Sequence, residues 1–178
     1  MGLSVETDLD LSRSMERTYI TYITFFIEES GAWFRCVDAS MSDVGELKRL
    51  IGIFLEVLIA HGVTVVGLTD RDKSLFEGIV KSMYGRRFSS LRVERAMPNV
   101  GGMDALMGAS REMKRFGLDI LSWQVRTDAR RLMERDPKNP LYHSFCAGWK
   151  LRTEQLSYCA LKAATALMIY EGNRCAGG

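Results

Sequence analysis

Closely spaced metal or disulfide ligands are what this chain of 178 residues most plainly lacks. Its four cysteines, Cys36, Cys146, Cys159 and Cys175, form no CxxC pair, and the two histidines are His61 and His143. A structural zinc site needs ligands a few residues apart, so none is expected, and the cysteines read as buried, reduced thiols. No uncharged run is long enough to span a bilayer. The longest apolar stretch, Leu50 to Val66, is broken by Glu56 and His61 and punctuated by Gly62, which reads as a buried helix followed by a strand. Residues 1–14 are acidic and have no apolar core, so no secretory leader is visible and the cytoplasm is the expected compartment. With no low-complexity tract, disorder is expected only at the ends, in residues 1–15 and 172–178, around a single domain covering 16–171.

What is present is an ordinary globular composition with an uneven charge. Apolar residues make up 47% and charged residues 26%, and the net charge is only +2. Residues 1–30 set Arg13 and Arg17 against six carboxylates, whereas residues 86–138 carry twelve Lys and Arg against seven Asp and Glu. A regional surplus of cations suits phosphates on nucleic acid or a nucleotide, and it equally suits a solvated face.

Three apolar-periodic segments end in glycine, at His61-Gly62, Tyr84-Gly85 and Phe116-Gly117. Glycine enters the left-handed conformation that closes a helix, so each reads as a C-cap. Strand-like runs follow at Val63–Leu68, Phe88–Val93 and Leu118–Val125. The preceding helices are expected at Val44–Ala60 (N-cap Ser42 or Asp43), from Ser74 (capping box with Glu77) and at about Gly102–Phe116. Leu47, Leu50, Ile51, Phe54, Leu55, Leu58 and Ile59 should face inward from the first, Leu75, Ile79 and Met83 from the second, and Met103, Leu106, Met107 and Met113 from the third. Upstream, Thr18–Glu28 and Ala32–Ala39 flank Glu29-Ser30-Gly31 as a β-hairpin whose first strand is central. Downstream, Arg126–Arg135 and Leu151–Tyr170 read as helices. The expected fold is α/β: a mixed sheet with an N-terminal hairpin, helix-Gly-strand units and a helical C-terminal third.

Two stretches attract chemical readings. Thr69-Asp70-Arg71-Asp72-Lys73-Ser74 follows a strand, where α/β folds place ligands. There Asp70 and Asp72 are candidates to hold Mg²⁺ or activate water, while Lys73 and Ser74 at a helix start could meet phosphate. In Gly85-Arg86-Arg87, glycine admits close approach and the guanidiniums match phosphate oxygens. Alternation along the next strand sets Arg86, Arg92 and Glu94 on one face and Arg87 and Arg95 on the other, with Glu94 a reserve general base. Arg126, Arg130 and Arg131 follow one ridge of a helix and are candidates for nucleic-acid phosphates. His143 and Cys146, three apart, form a candidate nucleophile and base. Pro98 to Gly102, a turn before a helix, reads as a connection.

The pair His61-Gly62-Val63-Thr64-Val65-Val66 and, twenty-three residues past Gly62, Gly85-Arg86-Arg87 resembles the ParB/sulfiredoxin-like superfamily over about fifty residues. No proline follows the strand, no residue separates Gly85 from Arg86, and no cysteine accompanies the turn, so sulfiredoxin chemistry is not expected. The resemblance implies handling of DNA and nucleoside triphosphates, as in plasmid-encoded fertility-inhibition proteins, with a phosphate role for Gly85, Arg86 and Arg87 alone. The leading expectation is a nucleic-acid- or nucleotide-acting protein, DNA before RNA, working as a metal-assisted nuclease or NTPase. Two alternatives stand beside it. Asn139 to Leu151 resembles a late segment of GNAT acetyltransferases, which implies a small-molecule transferase, and the apolar C-terminal helix would suit a non-enzymatic inhibitor or adaptor, or a homodimer.

Overall fold

A computed structural model describes residues 1–9, 18–27, 35–36, 44–97, 102–134, 136, 138, 139, 141 and 152–176. Five strands, β1 (Gly2–Leu9), β2 (Thr18–Phe26), β3 (Arg35–Cys36), β4 (Thr64–Gly67) and β5 (Arg92–Arg95), form one sheet in the order β3-β2-β1-β4-β5. The β1-β2 and β2-β3 pairs are antiparallel, whereas β4 runs parallel to both β1 and β5. The fold is therefore the expected α/β architecture with a mixed sheet and a helical C-terminus.

Helices α1 (Val44–Ala60) and α2 (Asp70–Tyr84) pack one face of the sheet, and α3 (Gly102–Arg115), α4 (Asp119–Met133) and α5 (Thr153–Ala176) pack the other. Period-two alternation makes the division. Leu3, Val5, Val65 and Val93 join Leu55, Leu58, Phe76 and Val80 in one core, while Val66 and Leu68 join Met113, Val125 and Ile169 in the other. Each core hides mostly aliphatic surface, at about 25 cal/mol per Å² removed from water.

Several expectations change. Residues 2–9 are not a loose end: they form the centre of the sheet, because Leu3 and Val5 alternate with Ser4 and Glu6 and fill the first core. The domain thus begins before residue 16, and β2, though interior, yields the central place to β1. At the other end α5 continues to Ala176, so residues 172–176 are helical. Residues 85–90 turn, and the strand starts only at Arg92. Leu118–Val125 is helical rather than extended: Ser122, Val125 and Ala129 are buried one turn apart while Ile120 and Trp123 face solvent, a 3.6-residue period. Helix α2 begins one turn before Ser74, capped by Thr69 and Asp72, and its buried stripe is Phe76 and Val80, flanked by Leu75 and Ile79. In α1, whose bounds match the expected ones, Leu50 faces outward with 51% exposure. Gly62, Gly85 and Gly117 all adopt positive φ, as the C-cap reading requires. The hairpin turn at Glu29-Ser30-Gly31, the caps Ser42 and Asp43, the side chains of Leu47 and Met103, the Pro98–Gly101 stretch, His143 with Cys146, and most of the Asn139–Leu151 segment lie outside the described residues.

Candidate functional site

Past the carboxyl end of β4, beside the middle of β1, the two helical layers meet. The chain leaves β1 toward β2 on one side of the sheet and leaves β4 toward β5 on the other, so this is the switch point at which open α/β sheets form crevices. Alternation points Ser4 and Glu6 toward α5, and α5 delivers Lys162 to them. From the opposite face the first turn of α2 delivers Asp72. The Lys162 ammonium lies 2.9 Å from Glu6 Oε1 and 2.8 Å from Asp72 Oδ1. All three are inside: side-chain exposure is 14% for Lys162, 16% for Glu6 and 2% for Asp72.

Further hydrogen bonds join the cluster to its surroundings. Ser4 Oγ donates to Glu6 at 3.1 Å, and the Val5 amide donates to Asp72 Oδ1 at 3.3 Å. Asp72 Oδ2 accepts from the Thr69 amide and the Thr69 hydroxyl at 3.3 and 3.2 Å. Gly67 makes this approach feasible, since a Cβ there would stand 2.9 Å from the Asp72 Cβ. Gly2 does the same for α5, whose Ala163 carbonyl oxygen occupies the space a Cβ would need. Burial works against the Lys162 charge, but the Asp72 and Glu6 carboxylates outweigh it and hold its pKa well above the ordinary lysine value. Nearby, burial and then the Glu6 charge push the Tyr158 hydroxyl far up, and the same two causes push the Cys159 thiol up to about 12. Cys159 is thus a protonated, inert core thiol, as its isolation in sequence suggests.

The sequence-derived candidates divide among separate places. Asp72 is in the buried cluster. Asp70, two residues earlier, pairs with Arg95 at the end of β5, so the two aspartates do not share one cation. Glu94 accepts a hydrogen bond from Tyr170 at 2.7 Å, which raises the tyrosine's pKa. Lys73 stands 4.0 Å from Glu77, and Ser74 is an exposed residue inside α2 rather than its cap. Gly85, Arg86 and Arg87 sit at the far end of α2, about 20 Å away along a helix of fifteen residues. Arg86 lines a cleft of about 340 Å³ floored by Phe76, Val80, Phe88 and Val93. Arg87 instead pairs with Glu56 and borders a second cleft, of about 300 Å³, with Lys48 and Arg49. The aspartate turn and the arginine turn therefore do not converge on one pocket.

On α4, Arg126 and Arg130 are exposed, and Arg131 stands 4.0 Å from Asp128. Trp123, 56% exposed, precedes them on the same face. Asp128 itself is buried, which raises its pKa against the opposing influence of Gln124 and Arg131. The apolar side of α5, expected to be free for a partner, is packed on the sheet: Tyr158, Ala163, Ala166 and Ile169 are all buried, though Leu156 is 40% exposed.

The described residues do not suit a divalent cation as they stand. No group of three His, Cys, Asp or Glu among them is placed to hold one, and the Lys162 ammonium occupies the place between Glu6 and Asp72 that a bridging cation would take. Sequence reasoning missed Glu6 and Lys162. Two signals were available: the Leu3-Ser4-Val5-Glu6 alternation, and Lys162 as the lone charge between Leu156 and Tyr170. Among the described residues no helix is long and apolar enough to cross a membrane. Comparison with family models, curated proteins and solved structures finds no match to this chain.

Proposed function

We propose that this protein binds nucleic acid through its phosphate backbone, with single-stranded DNA the first partner to test. The observation that carries the reading is the exposed face of α4, where Trp123 is followed at i+3 and i+7 by Arg126 and Arg130. An exposed tryptophan offers a stacking platform worth about 1–3 kcal/mol per base, and guanidiniums one and two turns away reach adjoining phosphates. The cations around the last turn of α2, Lys48, Arg49 and Arg86, extend positive charge over a second region. The sequence resemblance to DNA-handling proteins points to the same class of partner.

Fluorescence anisotropy of labelled oligonucleotides at rising salt tests this. Affinity should fall with a slope near 0.7 per phosphate contact on a single strand, Arg126→Ala with Arg130→Ala should lower that slope by about one to two contacts, and Trp123→Ala should weaken single strands about tenfold. Absence of binding at low salt, or binding indifferent to all three changes, would overturn the reading.

A second reading, phosphodiester hydrolysis, is favoured by the Glu6 and Asp72 carboxylates that share one ammonium, with Asp70 nearby in sequence but in its own pair with Arg95. It requires Lys162 and Arg95 to release the carboxylates so that Mg²⁺ can enter. Magnesium-dependent cleavage of DNA or RNA, lost in Asp70→Asn with binding intact, would establish it. Binding without cleavage leaves the first reading standing alone.

A further inference from the structure

Helix α1 carries an outward stripe that the core does not use. Leu50, Ile53 and Val57 are 51%, 46% and 48% exposed, at spacings of three and four, and Glu46 and Ala60 complete the line as exposed residues at its two ends. At about 100° per residue these five lie within one narrow sector, opposite the buried Leu55 and Leu58. Along one flank of the stripe stand Arg49 and Glu56, seven residues apart.

We infer that this face pairs with the α1 of a second copy of the chain, the two helices running antiparallel about a two-fold axis at Ile53. The stripe is its own complement in that arrangement. Centring on Ile53 sets it against itself, Leu50 against the partner's Val57, and Glu46 against the partner's Ala60. A two-fold axis keeps the same flank on the same side in both copies, so Arg49 of each chain meets the partner's Glu56, twice. A parallel pairing, its two-fold lying along the helices, would put this flank on opposite sides in the two copies and make neither contact. Glu56 already holds Arg87, and Arg49 stands 3.8 Å from Glu46, so the pairing joins these side chains into one network across the axis. The apolar centre supplies the attraction and the charged flank selects orientation.

Analytical ultracentrifugation across a concentration series reads the outcome. The wild-type chain should sediment as a dimer, and Ile53→Asp should raise its dissociation constant about thirtyfold or more while circular dichroism is unchanged. Arg49→Glu alone and Glu56→Arg alone each place like charges together and should each sediment as monomer. Mixed, these two singly altered chains restore both opposite-charge contacts and should associate with one another, as a tag on one of them would report. A wild-type monomer at every concentration, with or without another protein bound on α1, would overturn the pairing. So would a dimer indifferent to Ile53→Asp, or altered chains that fail to combine.

Discussion

The two ends of α2 carry the same kinds of residue to different fates. At its first turn, Asp72 is shielded from water and answered by Lys162, by backbone amides and by a threonine hydroxyl. Just past its other end, Arg86 and Arg87 stand in solvent, and the Arg87–Glu56 pair is more than half exposed on both sides. Charges taken out of water are costly unless fully partnered, so the first end has a definite arrangement that depends on every member. Charges left in water are screened and worth little to folding, so the second end remains free to meet a ligand. Sequence alone ranks them the other way, because a Gly-Arg-Arg run is conspicuous and a lone aspartate is not.

The sharpest way to break this contrast is at Lys162. Lys162→Met leaves two carboxylates together without their cation and should cost about 3–5 kcal/mol, read as a fall in Tm of about 10 °C or more. Adding Glu6→Gln and Asp72→Asn to it should recover much of the loss, since the neutral set no longer demands a counter-charge. Because the folded-state pKa of Lys162 is raised, its contribution is fully present below the ordinary lysine value near 10.5 and is lost as pH rises from there through the folded value. The Tm gap between wild type and Lys162→Met should therefore hold steady between about pH 6 and 9. A gap that closes within that range would show that the ammonium is not held charged by its neighbours.

Next in size is Gly2→Ala, which drives a methyl into the Ala163 carbonyl and should cost about 1–3 kcal/mol by separating α5 from β1. Thr69→Val, which keeps the shape but removes the hydroxyl that donates to Asp72, should cost about 1 kcal/mol in urea denaturation. Smallest of all, Arg87→Ala or Glu56→Ala should change stability by no more than about 0.5 kcal/mol. A loss there as large as that at Lys162 would erase the distinction between the two ends.

How far the chain could be read before folding follows the same division between near and distant causes. Helix α1 was legible to the residue because its apolar periodicity and Gly62 are local signals. The start of α2 was not, since Thr69 with Asp72 and Ser74 with Glu77 are equally good capping boxes in sequence. Contacts from elsewhere decide between them: Gly67 lets Asp72 in and Lys162 holds it. Strand β1 escaped notice because polar Thr7 and Asp8 cut the Leu3-Ser4-Val5-Glu6 alternation short, and its place in the sheet is set by pairing with β2 on one side and, on the other, with a strand some sixty residues later. For the strand-end cluster, the loop after β4 was recognised as the right neighbourhood and Asp72 as a member. Glu6 and Lys162, separated by 156 residues, could be joined only by the topology.

The placement of α5 on β1 also sets an order of events during synthesis. The central strand leaves the ribosome well before the helix that covers it and neutralises its acid. Until α5 arrives, Glu6 and Asp72 would sit near one another unanswered and the apolar flank of the second core would lie open to water. Nascent chains that stop before α5 should thus depend on chaperones or be degraded, and refolding should be slow for a domain of this size because its closing contact joins residues 156 apart in sequence.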